Sequence, residues 1–138
     1  MSKEMKSAYH LTTNCKAQIT NLSVICANGN TLPPMIIYPG KTINPSVAVD
    51  LPSGSLAYAT SSGWINTDAF VFWLENLFLP NLPPIRPVLL LVDGHRSHLD
   101  LEVAKLMREN NIEIFCLLPH TTHAVQPLDV GVFGPAKK

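Results

Sequence analysis

Asp93 and Asp129 are the two acids of this 138-residue chain whose surroundings suggest chemistry. Asp93 directly follows the apolar run Val88–Val92 and precedes Gly94. Asp129 lies just beyond the next apolar run, in Gln126-Pro-Leu-Asp-Val130. A short, wholly apolar run fits a strand buried on both faces, as in the middle of a parallel sheet between helices. In open α/β sheets the carboxyl edge of such strands is where ligands bind. If the two runs are neighbouring parallel strands, both carboxylates approach one point despite the 35 residues between them. Paired carboxylates at such an edge suit Mg²⁺ or Mn²⁺, which favour hard oxygen donors. Two ions there can activate a nucleophile and stabilise a leaving oxygen in phosphoryl transfer. On pattern alone a plainer reading stays open, with Asp93 a turn residue and Asp129 a helix-start cap.

Histidines surround both acids. His95 and His98 are three apart, and His120 and His123 repeat the spacing beyond the next run. Four imidazoles near one edge raise zinc, but neither pair has a cysteine or carboxylate in a standard zinc arrangement. Orienting the acids, touching phosphate or shuttling a proton fits them better. Arg96 is the natural phosphate contact, and a solvated surface arginine is the equally simple alternative.

The elements that must position these residues follow from periodicity. Residues 1–15 show little pattern and read as an irregular N-terminal arm. Over residues 17–27, Leu22, Val24 and Cys26 alternate as in a strand, and Asn28-Gly29 signals a turn into a second strand, 35–38. Pro33 and Pro34 predict a ladder that starts after them. Residues 39–55, rich in Pro and Gly, read as a loop, and 56–60 as a third, short strand in a hairpin-like group. Phe70, Trp73, Leu74, Leu77 and Phe78 form an amphipathic helical stripe, with Thr67 as cap, Asp68 in the first turn and Pro80 as stop. Phe72 and Leu79 extend the apolar surface beyond that stripe, and exposed they would mark an interface. Ser97 is placed to cap a second helix to about residue 110, with Leu99, Val103, Leu106 and Met107 inward. Residues 112–118 then form a strand, closing a βαβ unit whose right-handed crossover makes its strands parallel. Pro127 sits like the first residue of a further helix.

Composition bounds the rest. The length suits one domain. Charged residues make up 14% against 46% apolar, and ten acids balance ten bases. Charge is usually nearer ~25% of a soluble domain, so the shortfall suggests a partner surface or a piece of something larger. Neutrality supplies no bulk field for nucleic acid or membrane. Cys15, Cys26 and Cys116 form no CxxC pair, and the latter two read as core thiols of a reducing compartment. The first residues carry no signal-peptide pattern. No apolar run approaches the roughly 18–20 residues of a membrane span, so no membrane partner is expected.

Val92-Asp-Gly-His-Arg-Ser-His98 and Leu118-Pro-His-Thr-Thr-His-Ala-Val-Gln-Pro-Leu-Asp-Val-Gly-Val-Phe-Gly-Pro135 together resemble the DDE superfamily endonuclease domain of pogo, Tigger and jerky type transposases, a group that includes relatives of centromere-binding proteins. Asn28-Gly-Asn-Thr-Leu-Pro-Pro-Met-Ile-Ile-Tyr-Pro-Gly40 and Ser62-Gly-Trp-Ile-Asn66 add to the likeness, which runs from about residue 16 to 138. The resemblance implies an α/β, ribonuclease H-like mixed sheet flanked by helices. It also implies Mg²⁺- or Mn²⁺-dependent cutting and joining of DNA at a two-metal site, and a nuclear location. Asp93 matches the family's second catalytic acid and Asp129 its third. The first acid belongs to an Asp-Glu-Thr-Gly-like segment on the opening central strand, and no such segment occurs here; Glu4 and Asp50 lie in other contexts. The closing helical part has no counterpart either. The expectation is therefore a partial domain, inactive as a lone polypeptide. The alternative is a non-catalytic domesticated scaffold that binds DNA or a protein through exposed apolar surface, as a homo-oligomer or with another partner.

Overall fold

A computed structural model of the chain describes residues 18–94 and 100–117. Their order is β1 (Thr20–Ile25), β2 (Thr31–Pro39), α1 (Pro45–Ala48), β3 (Leu56–Thr60), α2 (Thr67–Trp73), β4 (Val88–Val92), α3 (Leu101–Glu109) and β5 (Ile112–Cys116). Five strands with helices packed on them make a mixed α/β fold. Among the described residues the strands form two sheets, one ordered β1-β2-β3 and one pairing β4 with β5.

The β1–β2 pair is an antiparallel hairpin. Its turn closes through Cys26 N–H to Asn30 O at 2.7 Å and Gly29 N–H to Cys26 O at 2.9 Å. Gly29 takes φ +87°, the left-handed conformation that an Asn-Gly turn requires. The ladder starts at Thr31, before the prolines rather than after them. Leu22 faces Met35 while Val24 faces Leu32, so β2 carries an extra residue at Pro33-Pro34. A bulge there absorbs two residues that have no N–H to give.

β3 is no hairpin partner. It pairs with β2 in parallel, Met35 to Leu56 through Pro39 to Thr60. Parallel neighbours need a long crossover, and residues 40–55 provide it, including the short α1, whose start is capped by Asn44 Oδ1 accepting from Ser46 N–H at 3.1 Å.

α2 is capped by Asn66, whose Oδ1 accepts from Ala69 N–H at 2.8 Å, while Thr67 is its first residue and Asp68 lies in its first turn. The winding continues past Trp73 as a π turn, Leu74–Phe78, and a 3₁₀ turn, Leu79–Asn81. Proline at the first helical position lacks only an orphan N–H, so Pro80 sits inside that last turn instead of ending the element. The expected stripe is the core: Phe70, Trp73, Leu74, Leu77 and Phe78 are buried, against Met35 and Ile37 of β2, Leu90 of β4, Val103 and Met107 of α3, and Ile112 of β5. One apolar cluster thus spans both sheets. Phe72 and Leu79 are half-buried against it rather than exposed, and the Phe72 ring lies 4.9 Å from that of Tyr58. A helix lodged between a sheet and a second helix has more than one stripe to bury.

α3 is capped by Asp100, whose Oδ1 accepts from Glu102 N–H at 3.2 Å. The expected cap, Ser97, and its neighbour Leu99 lie outside the described residues, as do residues 1–15 and Pro127. α3 ends at Asn110 and Asn111, the latter at φ +51°. Val103 and Met107 are buried and Leu106 half-buried, and Asp100, Glu102, Lys105, Arg108 and Glu109 are exposed. Cys26 and Cys116 are free and half-buried, less enclosed than core thiols.

β4 and β5 pair in parallel, Val88 to Ile112 through Val92 to Cys116, which completes the expected βαβ unit. The strand is not buried on both faces. Leu90 is buried and Val88 and Val92 are half-buried, but Leu89 and Leu91 of β4 remain 63% and 52% exposed, and Phe115 of β5 58%. Leu91 and Phe115 are register partners, and Leu89 pairs with the exposed Glu113, so this outer face carries three exposed apolar side chains and one carboxylate. An all-apolar run records that neither side of a strand is polar, and says nothing of what covers each side.

Candidate functional site

The carboxyl end of β4 forms one wall of the candidate site. The ladder closes with Leu117 N–H donating to Val92 O at 2.7 Å, and the backbone at Gly94 lies against Leu117, with room at 3.6 Å for a Cβ to meet Leu117 O. Asp93, half-buried, sits between these two contacts and has interaction partners of its own. Its backbone is therefore fixed by the sheet. Both segments that carry the candidate residues, 93–98 and 118–129, follow in sequence the carboxyl ends of two adjacent parallel strands. Asp129, His95, Arg96, His98, His120 and His123 lie outside the described residues, so of the expected constellation the geometry covers Asp93 alone. Among the described residues no group of three or more His, Cys, Asp or Glu is placed to hold a metal ion.

The path of the chain shows what shares that end. The hairpin turn and the start of β2, residues 26–32, line one open groove with residues 80–83 on the approach to β4. β2, its parallel neighbour β3, and β4 are thus all entered from one side. The winding from Thr67 to Asn81 returns the chain from the exit of β3 to that entry side, about 22 Å at 1.5 Å per residue. β4 then runs back toward the exit of β3. Asp93 and the turn after β3 consequently lie at the same end of the molecule.

That turn is fixed from several directions. Gly40 N–H donates to Thr60 O at 2.8 Å, Gly63 N–H to Thr60 O at 3.3 Å, and Thr60 Oγ1 to Trp64 O at 2.8 Å. Thr20 Oγ1 donates to Gly63 O at 2.7 Å, tying the turn to β1. Gly63 is buried at φ +74°, and a Cβ there would stand 2.0 Å from Gln18 O. Trp64, next in sequence, is 56% exposed. Sequence reasoning singled out the Ser62-Gly-Trp-Ile-Asn66 motif without giving Trp64 a role; the signal was a glycine followed at once by a large aromatic.

The DDE superfamily endonuclease family model matches residues 16–138. The chain belongs to this family. It is 32% identical over 123 residues to a protein of Cochliobolus lunatus named MFS-type transporter clz9, covering 87% of this chain and 13% of that protein. It is 30% identical over 122 residues to the human pogo transposable element with KRAB domain, covering 87% of this chain and 20% of the relative. With the human pogo transposable element with ZNF domain it shares 26% over 109 residues, 78% of this chain and 8% of the relative. The chain thus spans a fifth or less of the curated relatives it matches. The transporter name belongs to the fungal protein; among the described residues no helix is long and apolar enough to cross a membrane. No solved structure matches the chain.

Proposed function

We propose that this DDE endonuclease domain has a ribonuclease H-like sheet, with residues 16–138 as part of one unit behind an irregular arm, and that it engages DNA at the carboxyl end of β4 and β5. The observation that carries the reading is Asp93, half-buried at the exit of β4, next to the bond from Leu117 N–H to Val92 O that closes the ladder. A carboxylate there is a hard oxygen donor of the kind Mg²⁺ and Mn²⁺ take. Asp93 and Asp129 would hold the ion, which lowers the pKa of a water and polarises a phosphoryl oxygen. His95, His98, His120 and His123 would orient the acids or touch phosphate, and Arg96 would pair with a phosphate in its forked geometry. A nuclear location belongs to this reading, as the place where such an action on DNA would occur.

The test is Mn²⁺ binding by the purified chain. Asp93→Asn and Asp129→Ala should each weaken it at least about tenfold, roughly the 1.4 kcal/mol of one lost charged ligand contact. Unchanged binding in both variants would overturn the assignment. Cutting by this polypeptide is expected to fail. Among the described residues no further His, Cys, Asp or Glu joins Asp93 in a group of three that could hold a metal ion. In an Mg²⁺ assay on supercoiled plasmid, nicking by the wild-type chain that disappears in Asp93→Asn would refute this.

The second reading is a non-catalytic scaffold that binds DNA or protein, with a homo-oligomer among the arrangements it allows. The exposed face of Leu89, Leu91 and Phe115 favours it, because parallel sheets are ordinarily covered on both sides. A chain that binds a partner but no Mn²⁺ would support the scaffold over the enzyme.

A further inference from the structure

We infer that Trp64 is a nucleobase-stacking residue, which holds an unpaired base of single-stranded DNA at the end of the molecule where Asp93 emerges. The inference rests on the proposed action on DNA and adds a residue to it.

Trp64 is one of two tryptophans, and the other, Trp73, is buried at 1% exposure. An indole left 56% exposed forgoes burial that the same ring at position 73 receives. Its backbone is nonetheless held more firmly than a surface loop needs. Trp64 O accepts from Thr60 Oγ1 at 2.8 Å, and Trp64 N–H donates to Ser62 Oγ at 3.3 Å. The preceding Gly63 is locked between Gln18 and Thr20. An aromatic face presented on a rigid turn forfeits little conformational entropy when a flat ligand stacks on it.

The surroundings select the ligand. Ser61 and Ser62, in the same turn as Trp64, are exposed, and Ser62 Oγ accepts from the Trp64 backbone N–H. Lys41 is exposed and follows Gly40, whose N–H is bonded to Thr60 O. An aromatic platform with a cation and hydroxyls nearby is the combination that holds a base and its phosphate. Asp68, exposed in the first turn of α2, is the opposing charge nearest in sequence, and it keeps the patch from being generally basic. Affinity therefore comes chiefly from the ring face, which does not discriminate sharply among bases.

The experiment titrates the full chain with a single-stranded oligothymidine of about ten nucleotides, within the usual footprint of such sites. Emission from the exposed indole should be quenched as the oligonucleotide binds. Trp64→Ala should weaken binding roughly 5- to 150-fold, the span of one base stacked on an aromatic. Trp64→Phe, which keeps a ring, should recover most of the affinity, whereas a merely structural contact would not follow ring area. Binding that Trp64→Ala leaves unchanged, or that occurs without quenching, overturns the stacking role and leaves the DNA reading standing. No binding of single- or double-stranded DNA by the wild-type chain would overturn both.

Discussion

Replacing Gly63 by alanine should cost the fold about 2–5 kcal/mol, far more than the same change at Gly29. Two penalties add at Gly63. An L-residue at φ +74° costs roughly 1–2 kcal/mol. Its Cβ would also stand 2.0 Å from Gln18 O, a backbone atom that cannot rotate away. Overpacking of that kind typically costs about 1–3 kcal/mol more. To relieve it, the turn must withdraw from β1, which loosens the 2.7 Å bond from Thr20 Oγ1 to Gly63 O. Gly29 has a similar φ of +87° but nothing within 4 Å of an added Cβ. Gly29→Ala therefore isolates the backbone penalty, and the difference between the variants measures the close approach. Urea unfolding followed by circular dichroism reads both. With a slope of about 2 kcal/mol per molar, Gly63→Ala should lower the midpoint by roughly 1–2.5 M. Equal midpoints for the two variants would show that the turn yields where the geometry says it cannot.

The same corner marks a boundary of what residues alone reveal. Periodicity located the helix, and Asp68 in its first turn, because burial of a stripe is a local pattern. It assigned the cap to Thr67 when Asn66 performs it, since neighbouring residues that can both cap differ only in where the chain bends. The direction of β3 was misread as hairpin-like. Turn residues dominate residues 39–55, and only the length of that connection hinted at a parallel partner. Likewise Pro33 and Pro34 reported missing donors correctly, but a bulge satisfies that constraint as well as a late start does. The run Val88–Val92 was legible to the residue as a strand, whereas the exposure of Leu89 and Leu91 was not, because cover is a tertiary property. The position of Asp93 at the exit of β4 was legible, because an acid directly after a strand-forming run falls at its carboxyl end. Trp64 was not: an aromatic beside an amphipathic helix looks like core until exposure is known, and its neighbour Trp73 is core.

Trp73→Ala should destabilise the fold by about 3–5 kcal/mol. The indole is 1% exposed and stacks between Phe70 at 5.3 Å and Phe78 at 4.9 Å. It belongs to the cluster that joins β2 to β4 and β5 through α2 and α3. Because that cluster is the apolar link between the two sheets, both should be lost in one transition, and hydrogen exchange should accelerate in β2 and β4 together. Protection retained in β4 and β5 while β1–β3 opens would show that the sheets are held independently. Trp73→Phe should behave differently. Among the described residues the buried Nε1 of Trp73 has no hydrogen-bond partner, which leaves a desolvation cost of about 1–3 kcal/mol uncompensated by them. Phenylalanine removes that donor and keeps a ring between the same neighbours. The smaller volume costs a comparable amount, and the two changes should nearly cancel, leaving Trp73→Phe within about 1 kcal/mol of wild type. A loss as large as that of Trp73→Ala would mean that the indole N–H is satisfied in solution. With Trp73→Phe folded, Trp64 is the remaining tryptophan, and its quenching by single-stranded DNA is then read without a buried background.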